Sequence, residues 1–173
     1  VRNRTIVALN AVRRLFSQEA EKRMESRITR FNRRVNYLIA QTDEVYHIIA
    51  LHLGLSDSEM MVLYVLTDTG GECPLPGLLQ QTGLSKQTVN SALRKLEADG
   101  SICLRMADRK SKIVCLTESG KALAARTAGW LLSAENDIYA GWPEEDLEAY
   151  LRLAEKYLTE LREKSKELEN FRL

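Results

Sequence analysis

The chain has few of the residues on which catalytic and metal sites depend. Only two histidines, His47 and His52, occur among 173 residues. They stand five positions apart, a spacing that aligns poorly on one helix, so we expect no metal site. The sequence also has no Gly-rich phosphate loop, no HExxH motif and no Ser/His/Asp set. We therefore expect neither an enzyme nor a bound cofactor.

Cysteines, prolines and long apolar runs are scarce as well. Three cysteines, an odd number, form no disulfide framework, which favours a reducing cytoplasm. No run approaches the roughly 18 apolar residues of a membrane-spanning helix, so no membrane partner is expected. Three prolines and nine glycines in this length favour long helices over a turn-rich β architecture.

The net charge of +1 is small, but it is unevenly distributed. Residues 1–34 carry ten Lys and Arg against three acids, and residues 84–112 carry seven against three. Residues 143–173 carry nine acids against six bases. This distribution predicts a polyanion-facing surface on part of a nearly neutral molecule.

Apolar spacing and turn residues divide the chain into four segments. They are a basic arm at 1–24, a long amphipathic helix at 25–54, a winged lobe at 55–117 and two C-terminal helices at 118–173. In the arm, Ile6, Leu9, Val12 and Phe16 indicate a short amphipathic helix.

The end of each long helix can be placed from single residues. Gly54 ends the helix of the second segment. Thr117 caps a helix that is expected to continue to about Ala140, and Pro143 opens the final helix.

The final helix has an apolar stripe that a short tail cannot bury alone. A partner helix, from the N-terminal segment or from another subunit, is the simplest explanation. The stripe consists of Leu147, Tyr150, Leu151, Ala154, Tyr157, Leu158 and Leu161.

A helix-turn-helix pattern occupies the middle of the chain. A short helix begins near Pro76, Thr82-Gly83 forms a tight turn, and Ser85 caps a helix over 85–99 that stops at Gly100. One face of this helix is apolar and is expected to pack on the lobe; it comprises Val89, Ala92, Leu93 and Leu96.

The opposite face of the 85–99 helix suits contact with DNA bases. Gln and Asn can pair with adenine, Arg with guanine, and Ser with either or with phosphate. The exposed residues are Lys86, Gln87, Asn90, Ser91 and Arg94. Ser85 and Lys95 are placed where phosphate contacts are expected.

Two alternating runs predict a β hairpin, the wing, at residues 101–117. With the turn centred near Lys110, the apolar side chains of both strands lie on one face, which is expected to be buried. The predicted pairs are Leu104 with Leu116 and Met106 with Val114, and Ile102 shares their face.

The hairpin tip is basic. Arg109, Lys110 and Lys112 place three cations within four residues, and such a tip can enter a narrow minor groove. Asp108 is expected to orient Arg109 rather than to touch DNA. Alone, a polar helix face or a basic turn would be ordinary solvated surface, but the two together in this order predict DNA binding.

The three cysteines are weak candidates for redox chemistry. Cys103 and Cys115 lie on one hairpin face but are diagonally offset in the predicted register, which suits a disulfide poorly. Cys73 is expected in a loop, where the neighbouring Glu72 disfavours a thiolate. We expect packing roles, with a regulatory cysteine as the alternative.

These segments resemble the MarR family of bacterial transcription regulators. The resemblance extends over about 26–168, and the Asp-Arg wing followed by Leu-Thr-x-x-Gly is its most specific part. The matching motifs are residues 84–89, 95–100, 108–109 and 116–121. The stretch between Gly100 and Asp108 is short for the family, so the wing is expected to reach less far.

The resemblance implies a mainly α homodimer. Its winged helix-turn-helix lobes, each with a two-stranded β wing, are flanked by long N- and C-terminal dimerisation helices. It also implies binding of a pseudo-palindromic operator in double-stranded DNA, with repression expected. Carried over to this chain, Ser85, Gln87, Thr88, Asn90, Ser91 and Arg94 occupy recognition-helix positions, and Arg109 occupies the wing arginine position.

The resemblance further implies release of DNA by a small-molecule effector. In the family the pocket lies where the dimer helices meet the DNA-binding lobe, which makes candidates of Tyr46, His47, Met61, Tyr64 and Trp130. Residues of this kind at helical spacing are also ordinary core. An alternative function is a winged-helix module for protein–protein assembly without specific DNA binding.

Overall fold

The structure, a computed structural model, describes the backbone of residues 2–106 and 112–170 and the side chains of residues 22–106 and 112–168. Within these ranges the chain is mainly helical. The helices are α1 (Arg2–His52), α2 (Asp57–Asp68), α3 (Leu75–Thr82), α4 (Lys86–Ala98), α5 (Glu118–Arg126), α6 (Ala128–Ala140) and α7 (Glu144–Lys166). The strands are β1 (Glu72–Pro74), β2 (Ile102–Met106) and β3 (Lys112–Leu116), and a 3-10 helix at Glu167–Asn170 follows α7.

The chain divides into two compact units, one up to Asp57 and one from Ser58 onward. The first unit is dominated by α1. The boundary expected at residue 24 does not exist in the backbone, because α1 runs through it without interruption. The sequence has no Gly or Pro before Gly54 that could break this helix.

Gly54 ends α1 as predicted. Its φ of +76° is left-handed, and its N–H donates to the carbonyl of Leu51 at 3.0 Å. The next N–H, from Leu55, donates to Ala50 at 2.9 Å. This pair of bonds satisfies the last free carbonyls of the helix, and a left-handed residue is required at that position.

The second unit packs α2, α3 and α4 around one apolar core. Leu63, Leu66 and Leu78 are completely buried, and Val89 and Leu96 of α4 lie in the same core at 0% and 1% exposure. Val114 of β3 is also fully buried. The lobe therefore holds the apolar face of α4 and the base of the hairpin in one packed unit.

The sheet has three antiparallel strands in the order β1-β3-β2. The strand β1 differs from the expectation, which placed Cys73 in a loop. Cys73 is opposite Val114 and only 2% exposed, so the buried thiol fills the sheet's inner face. A run of three residues is too short to show alternation, which is why the sequence did not reveal it.

The predicted hairpin register is wrong by two residues. The observed pairs are Ile102 with Leu116, Cys103 with Cys115, Leu104 with Val114, Arg105 with Ile113 and Met106 with Lys112. Thr117 N–H donates to Ser101 at 3.0 Å just below the first pair, so the base of the hairpin sets the register. A two-residue shift keeps each side chain on its predicted face.

The dry face of the hairpin is shorter than expected. Ile102 and Val114 are buried, but Leu104 is 37% exposed and Met106 is 55% exposed. The strands therefore extend beyond the edge of the core. Among the described residues of the wing, the buried apolar side chains lie at its base.

The helix expected from Thr117 to Ala140 is two helices. Thr127 interrupts it with φ −117° and ψ −89°, and its hydroxyl donates to the Leu123 carbonyl at 2.7 Å. Thr127 is 1% exposed, so the break is buried. A β-branched residue whose hydroxyl bonds to the preceding turn competes with regular helix formation.

In the described part of the chain, no single helix is long and apolar enough to cross a membrane. The consecutive helical segments Lys22–His52 and Asp57–Asp68 reach that length and composition only as a bent pair.

Candidate nucleic-acid interface

The start of α4 is fixed by its predicted cap. Ser85 has extended backbone angles, and its Oγ accepts a hydrogen bond from Thr88 N–H at 3.1 Å. The Ser85 and Thr88 hydroxyls lie 2.8 Å apart. Because capping satisfies an otherwise free N–H of the first turn, both hydroxyls serve the helix start as well as facing solvent.

The polar face of α4 forms a shallow depression in the protein surface. Asn90 is half-buried and its neighbours are exposed, so the face is open along the first three turns of the helix. The depression encloses about 470 Å³ and is lined by Lys86, Gln87, Asn90, Ser91 and Arg94. These are the five residues that the sequence predicted for base contact.

Lys95 is placed differently from its neighbours. Its Nζ lies 2.9 Å from Oε2 of Glu59, a carboxylate of α2 that is only 2% exposed. The hydrogen bond to Glu59 and then the charge of Glu59 raise the pKa of Lys95. The ammonium group therefore links the recognition helix to α2, and a phosphate contact by Lys95 stays a prediction.

Glu59 makes a buried ion pair that sequence reasoning missed. It occupies the last position of a Ser-Asp-Ser-Glu capping box, a pattern that predicts an exposed helix start rather than a buried carboxylate. Its pairing with Lys95 spans 36 residues. Nothing in the local pattern indicates that contact.

The wing carries Lys112 at the exposed start of β3, opposite Met106. Arg109 and Lys110, predicted at the tip, lie outside the described residues. On the face of the sheet that carries Cys103, Arg105 donates to Oε2 of Glu72 at 2.8 Å. Neither residue of this ion pair was identified as a site residue from the sequence.

The base of the wing is joined to the end of α4. The Thr117 hydroxyl caps α5 by accepting from Gly120 N–H at 3.0 Å, and it donates to the Gly100 carbonyl at 2.6 Å. Ser119 Oγ donates to the same carbonyl at 2.8 Å. A Cβ on Gly120 would lie 1.7 Å from the Ser101 carbonyl oxygen, so only glycine fits there.

The candidate effector residues are distributed over both units. In the first unit, Tyr46 is 41% exposed and the His47 ring nitrogen Nδ1 lies 2.9 Å from Oδ1 of Asp57. In the second, Met61 and Trp130 are exposed and the Tyr64 hydroxyl donates to Glu135 at 2.5 Å. The pocket that these five residues would form stays a prediction.

Comparison with known proteins identifies this arrangement. Residues 53–109 match the model of the MarR family, a span that contains α2, β1, α3, α4 and β2. Over this span, about a third of the chain, the sequence is similar to the MarR family. MarR proteins are transcription regulators rather than enzymes, and the mainly α winged-helix fold expected from the sequence is confirmed.

Solved structures of MarR proteins superimpose on most of the chain. A MarR-family transcriptional regulator from Silicibacter pomeroyi is 25% identical with a TM-score of 0.59, over 73% of this chain and 88% of that one. Two further structures share the fold at lower identity. One is a DNA complex of MepR from S. aureus, which is 18% identical with a TM-score of 0.58, over 73% of this chain and 93% of that one. The other is BpsR from Bordetella bronchiseptica, whose DNA binding is described as regulated by 6-hydroxynicotinic acid. It is 22% identical with a TM-score of 0.54, over 72% of this chain and 98% of that one.

The comparison with curated proteins gave no match. The general function, a MarR-type DNA-binding transcription regulator, therefore rests on the family model and the fold.

Proposed function

We propose that this protein, which is similar to the MarR family, is a homodimeric repressor that reads a pseudo-palindromic operator. The recognition helix α4 enters the major groove, and the wing lies beside the minor groove. The observation that carries the proposal is the division of α4 into two faces. Val89, Ala92, Leu93 and Leu96 are buried, while the depression lined by Lys86, Gln87, Asn90, Ser91 and Arg94 faces outward.

The chemistry of the outward face supports base reading. Amide side chains at Gln87 and Asn90 can pair with adenine, and the Arg94 guanidinium can pair with guanine. Lys86, Arg94 and Lys112 are among the exposed cations of α4 and the wing. Cations at such positions contribute the salt-dependent attraction to phosphates.

Dimerisation is supported by apolar surface on two helices. In α7 no described residue is buried, and five large apolar side chains are 46–64% exposed. They are Tyr150, Leu151, Tyr157, Leu158 and Leu161. In α1, Phe31 is 66% exposed and Leu51 is 58% exposed. Apolar surface of this extent marks an interaction site, and a second copy of the chain gives the two-fold symmetry that a palindromic operator requires.

DNA binding is tested with labelled duplexes from the region upstream of the gene and with random duplexes of equal length. We expect the upstream duplex to bind more tightly and affinity to fall steeply as salt rises. Arg94→Ala should reduce affinity for the upstream duplex and lower the salt slope by about one. Lys121→Ala is the matched control, because Lys121 is an exposed cation of α5, outside the polar face of α4, and pairs with Glu118.

Asn90→Ala tests base reading separately from phosphate attraction. It should narrow the difference in affinity between the upstream and the random duplex and leave the salt slope unchanged. The expected loss of binding free energy for the preferred sequence is about 1–3 kcal/mol. A dimer that binds both duplexes equally well would refute the operator-binding proposal. Such a result would favour the assembly module.

Dimerisation has its own test in the oligomeric state. Sedimentation of the full chain should show a dimer, and Leu158→Glu should shift it to a monomer because a charge would be buried in the interface. Glu160→Gln, on the same helix and paired with Lys156 across one turn, is the control. A wild-type chain that stays monomeric at assay concentrations would contradict the proposal.

We further propose a small aromatic acid as the effector, with Met61, Tyr64 and Trp130 of the second unit as candidate contacts. The support is chemical: BpsR is regulated by such an acid, and these residues offer a hydroxyl, an indole and a thioether. Thermal stability with 6-hydroxynicotinic acid as the probe tests it. An increase that Trp130→Ala abolishes supports this site, whereas no increase at millimolar acid rejects this class of effector.

A further inference from the structure

The outer face of the wing sheet carries a row of reactive side chains. Glu72, Cys115 and Cys103 are register partners across β1, β3 and β2, so their side chains lie side by side on one face. Arg105, two residues along β2, points to that face as well. Cys103 is exposed and Cys115 is half-buried, so both sulfurs are accessible.

The backbone spacing of the two cysteines permits a bond between them. Thr117 N–H donates to the Ser101 carbonyl, which makes that pair hydrogen-bonded. Hydrogen-bonded and non-hydrogen-bonded pairs alternate along the two strands. The pair of Cys103 with Cys115, two residues further along, is therefore hydrogen-bonded as well. The Cα atoms of such a pair are about 5.5 Å apart, which is within the range of about 4.4–6.8 Å found in disulfides.

The bond would be easy to reduce. In a hydrogen-bonded pair the distance between the two Cβ atoms is near the upper end of about 4.5–5.5 Å. In a relaxed disulfide the same distance is about 3.8 Å. Closing the bond must draw the two strands together. Strained and exposed disulfides are the labile ones, so the reduced and oxidised forms can interconvert.

The neighbours of Cys115 form a polar network beside its sulfur. Its Sγ lies 3.9 Å from Oε2 of Glu72 and donates towards that oxygen, which also accepts from Arg105 at 2.8 Å. The pKa of Arg105 is raised, first by hydrogen bonding to Cys115 and then by the charge of Glu72. The contacts of Glu72 therefore bring a proton-accepting carboxylate and a guanidinium to the face that carries both cysteines.

We propose that Cys115 and Cys103 are a redox-active dithiol that a hydroperoxide converts into a cross-strand disulfide in the wing. The Cys115 sulfur attacks the peroxide oxygen and the O–O bond breaks. The leaving oxygen takes the thiol proton by way of Glu72, which gives a sulfenic acid and water or an alcohol. The Cys103 sulfur then attacks the sulfenic sulfur, the S–O bond breaks, and the hydroxide leaves as water with the Cys103 proton.

The two steps balance. One hydroperoxide is reduced by two electrons, and the two thiols lose two protons and two electrons between them. Cys73 takes no part, since it is buried on the opposite face of the sheet at 2% exposure. The proposal concerns the chemistry of the wing alone, so it stands or falls independently of DNA binding.

The test is the intact mass of the full chain after treatment with equimolar hydrogen peroxide and alkylation of the remaining thiols. We expect the loss of two hydrogen atoms per chain, one thiol left for alkylation, and a peptide that links residues 103 and 115. Dithiothreitol should restore all three thiols. Cys73→Ser, the matched control, should form the same bridge.

Single variants separate the two steps. Cys103→Ser should stop at a sulfenic acid on Cys115, which dimedone traps, and Cys115→Ser should form no intrachain bridge. Any of three results for the wild-type chain would overturn the proposal. They are three alkylatable thiols after peroxide, a bridge to Cys73, and a disulfide between two chains as the main product.

Discussion

Replacing Gly120 with alanine would place a methyl group where the backbone of Ser101 already lies. The new Cβ would be 1.7 Å from the Ser101 carbonyl oxygen and 2.7 Å from its carbonyl carbon. Ordinary contacts begin at 3.4 Å, so the start of α5 and the Ser101 backbone would have to separate by about 1.7 Å (3.4 minus 1.7). The same carbonyl accepts the N–H of Thr117, so this movement would also break a hydrogen bond.

The expected loss of stability follows from two opposing contributions. Overpacking a fixed site costs about 1–3 kcal/mol, and a clash with backbone belongs at the upper end. Alanine in place of a helical glycine returns about 1 kcal/mol. The net destabilisation is about 2 kcal/mol, which lowers the Tm of a chain of this length by about 4–8 °C.

Thermal unfolding followed by circular dichroism at one fixed protein concentration measures this loss, since dimer stability depends on concentration. Gly77→Ala is the control: it is also helical, and its Cβ would make only ordinary contacts, with the Cys73 sulfur at 3.5 Å and Nε2 of Gln81 at 3.9 Å. That variant should be as stable as wild type or slightly more so. A Gly120→Ala protein with an unchanged or higher Tm would refute the close approach of α5 to Ser101.

Three further substitutions test single contacts by denaturant unfolding. Thr117→Val removes the cap on Gly120 N–H and should cost about 1–2 kcal/mol, whereas no loss would mean that the cap is dispensable. Tyr64→Phe removes the hydroxyl that donates to a carboxylate and should cost about 1.5 kcal/mol, with equal stability counting against that bond. Lys95→Met should lower the unfolding midpoint because it removes the cation beside the buried Glu59, and Lys95→Arg should restore it. An unchanged midpoint in Lys95→Met would show that the pair contributes nothing to stability.

The features that sequence predicted well are those set by neighbouring residues. Ser85 and Thr117 were identified as helix caps, and both accept the expected N–H at close to 3 Å. Gly54 was identified as a helix stop and has the left-handed φ that such a stop requires. In each case the physical cause lies within four residues, so a short stretch of sequence contains all of it.

The features that sequence missed depend on contacts between distant segments. The hairpin register is set by the bond from Thr117 to Ser101 at its base, whereas alternation alone is equally satisfied by a two-residue shift. That shift hid the direct pairing of Cys103 with Cys115. The burial of Glu59 is likewise a property of the packed lobe rather than of its capping box.

The bonds at the base of the wing have a consequence for how proteins of this kind can vary. Gly100 and Ser101, where α4 stops, are tied to Thr117 and Ser119, where α5 starts, so the hairpin leaves and re-enters the lobe at one fastened point. Lengthening a loop between fixed ends costs little, about 0.6 kcal/mol for each doubling. Insertions and deletions in the tip can therefore accumulate without disturbing α4. The reach of the wing can evolve separately from sequence preference, and a chimera with a longer tip should keep its α4 intact.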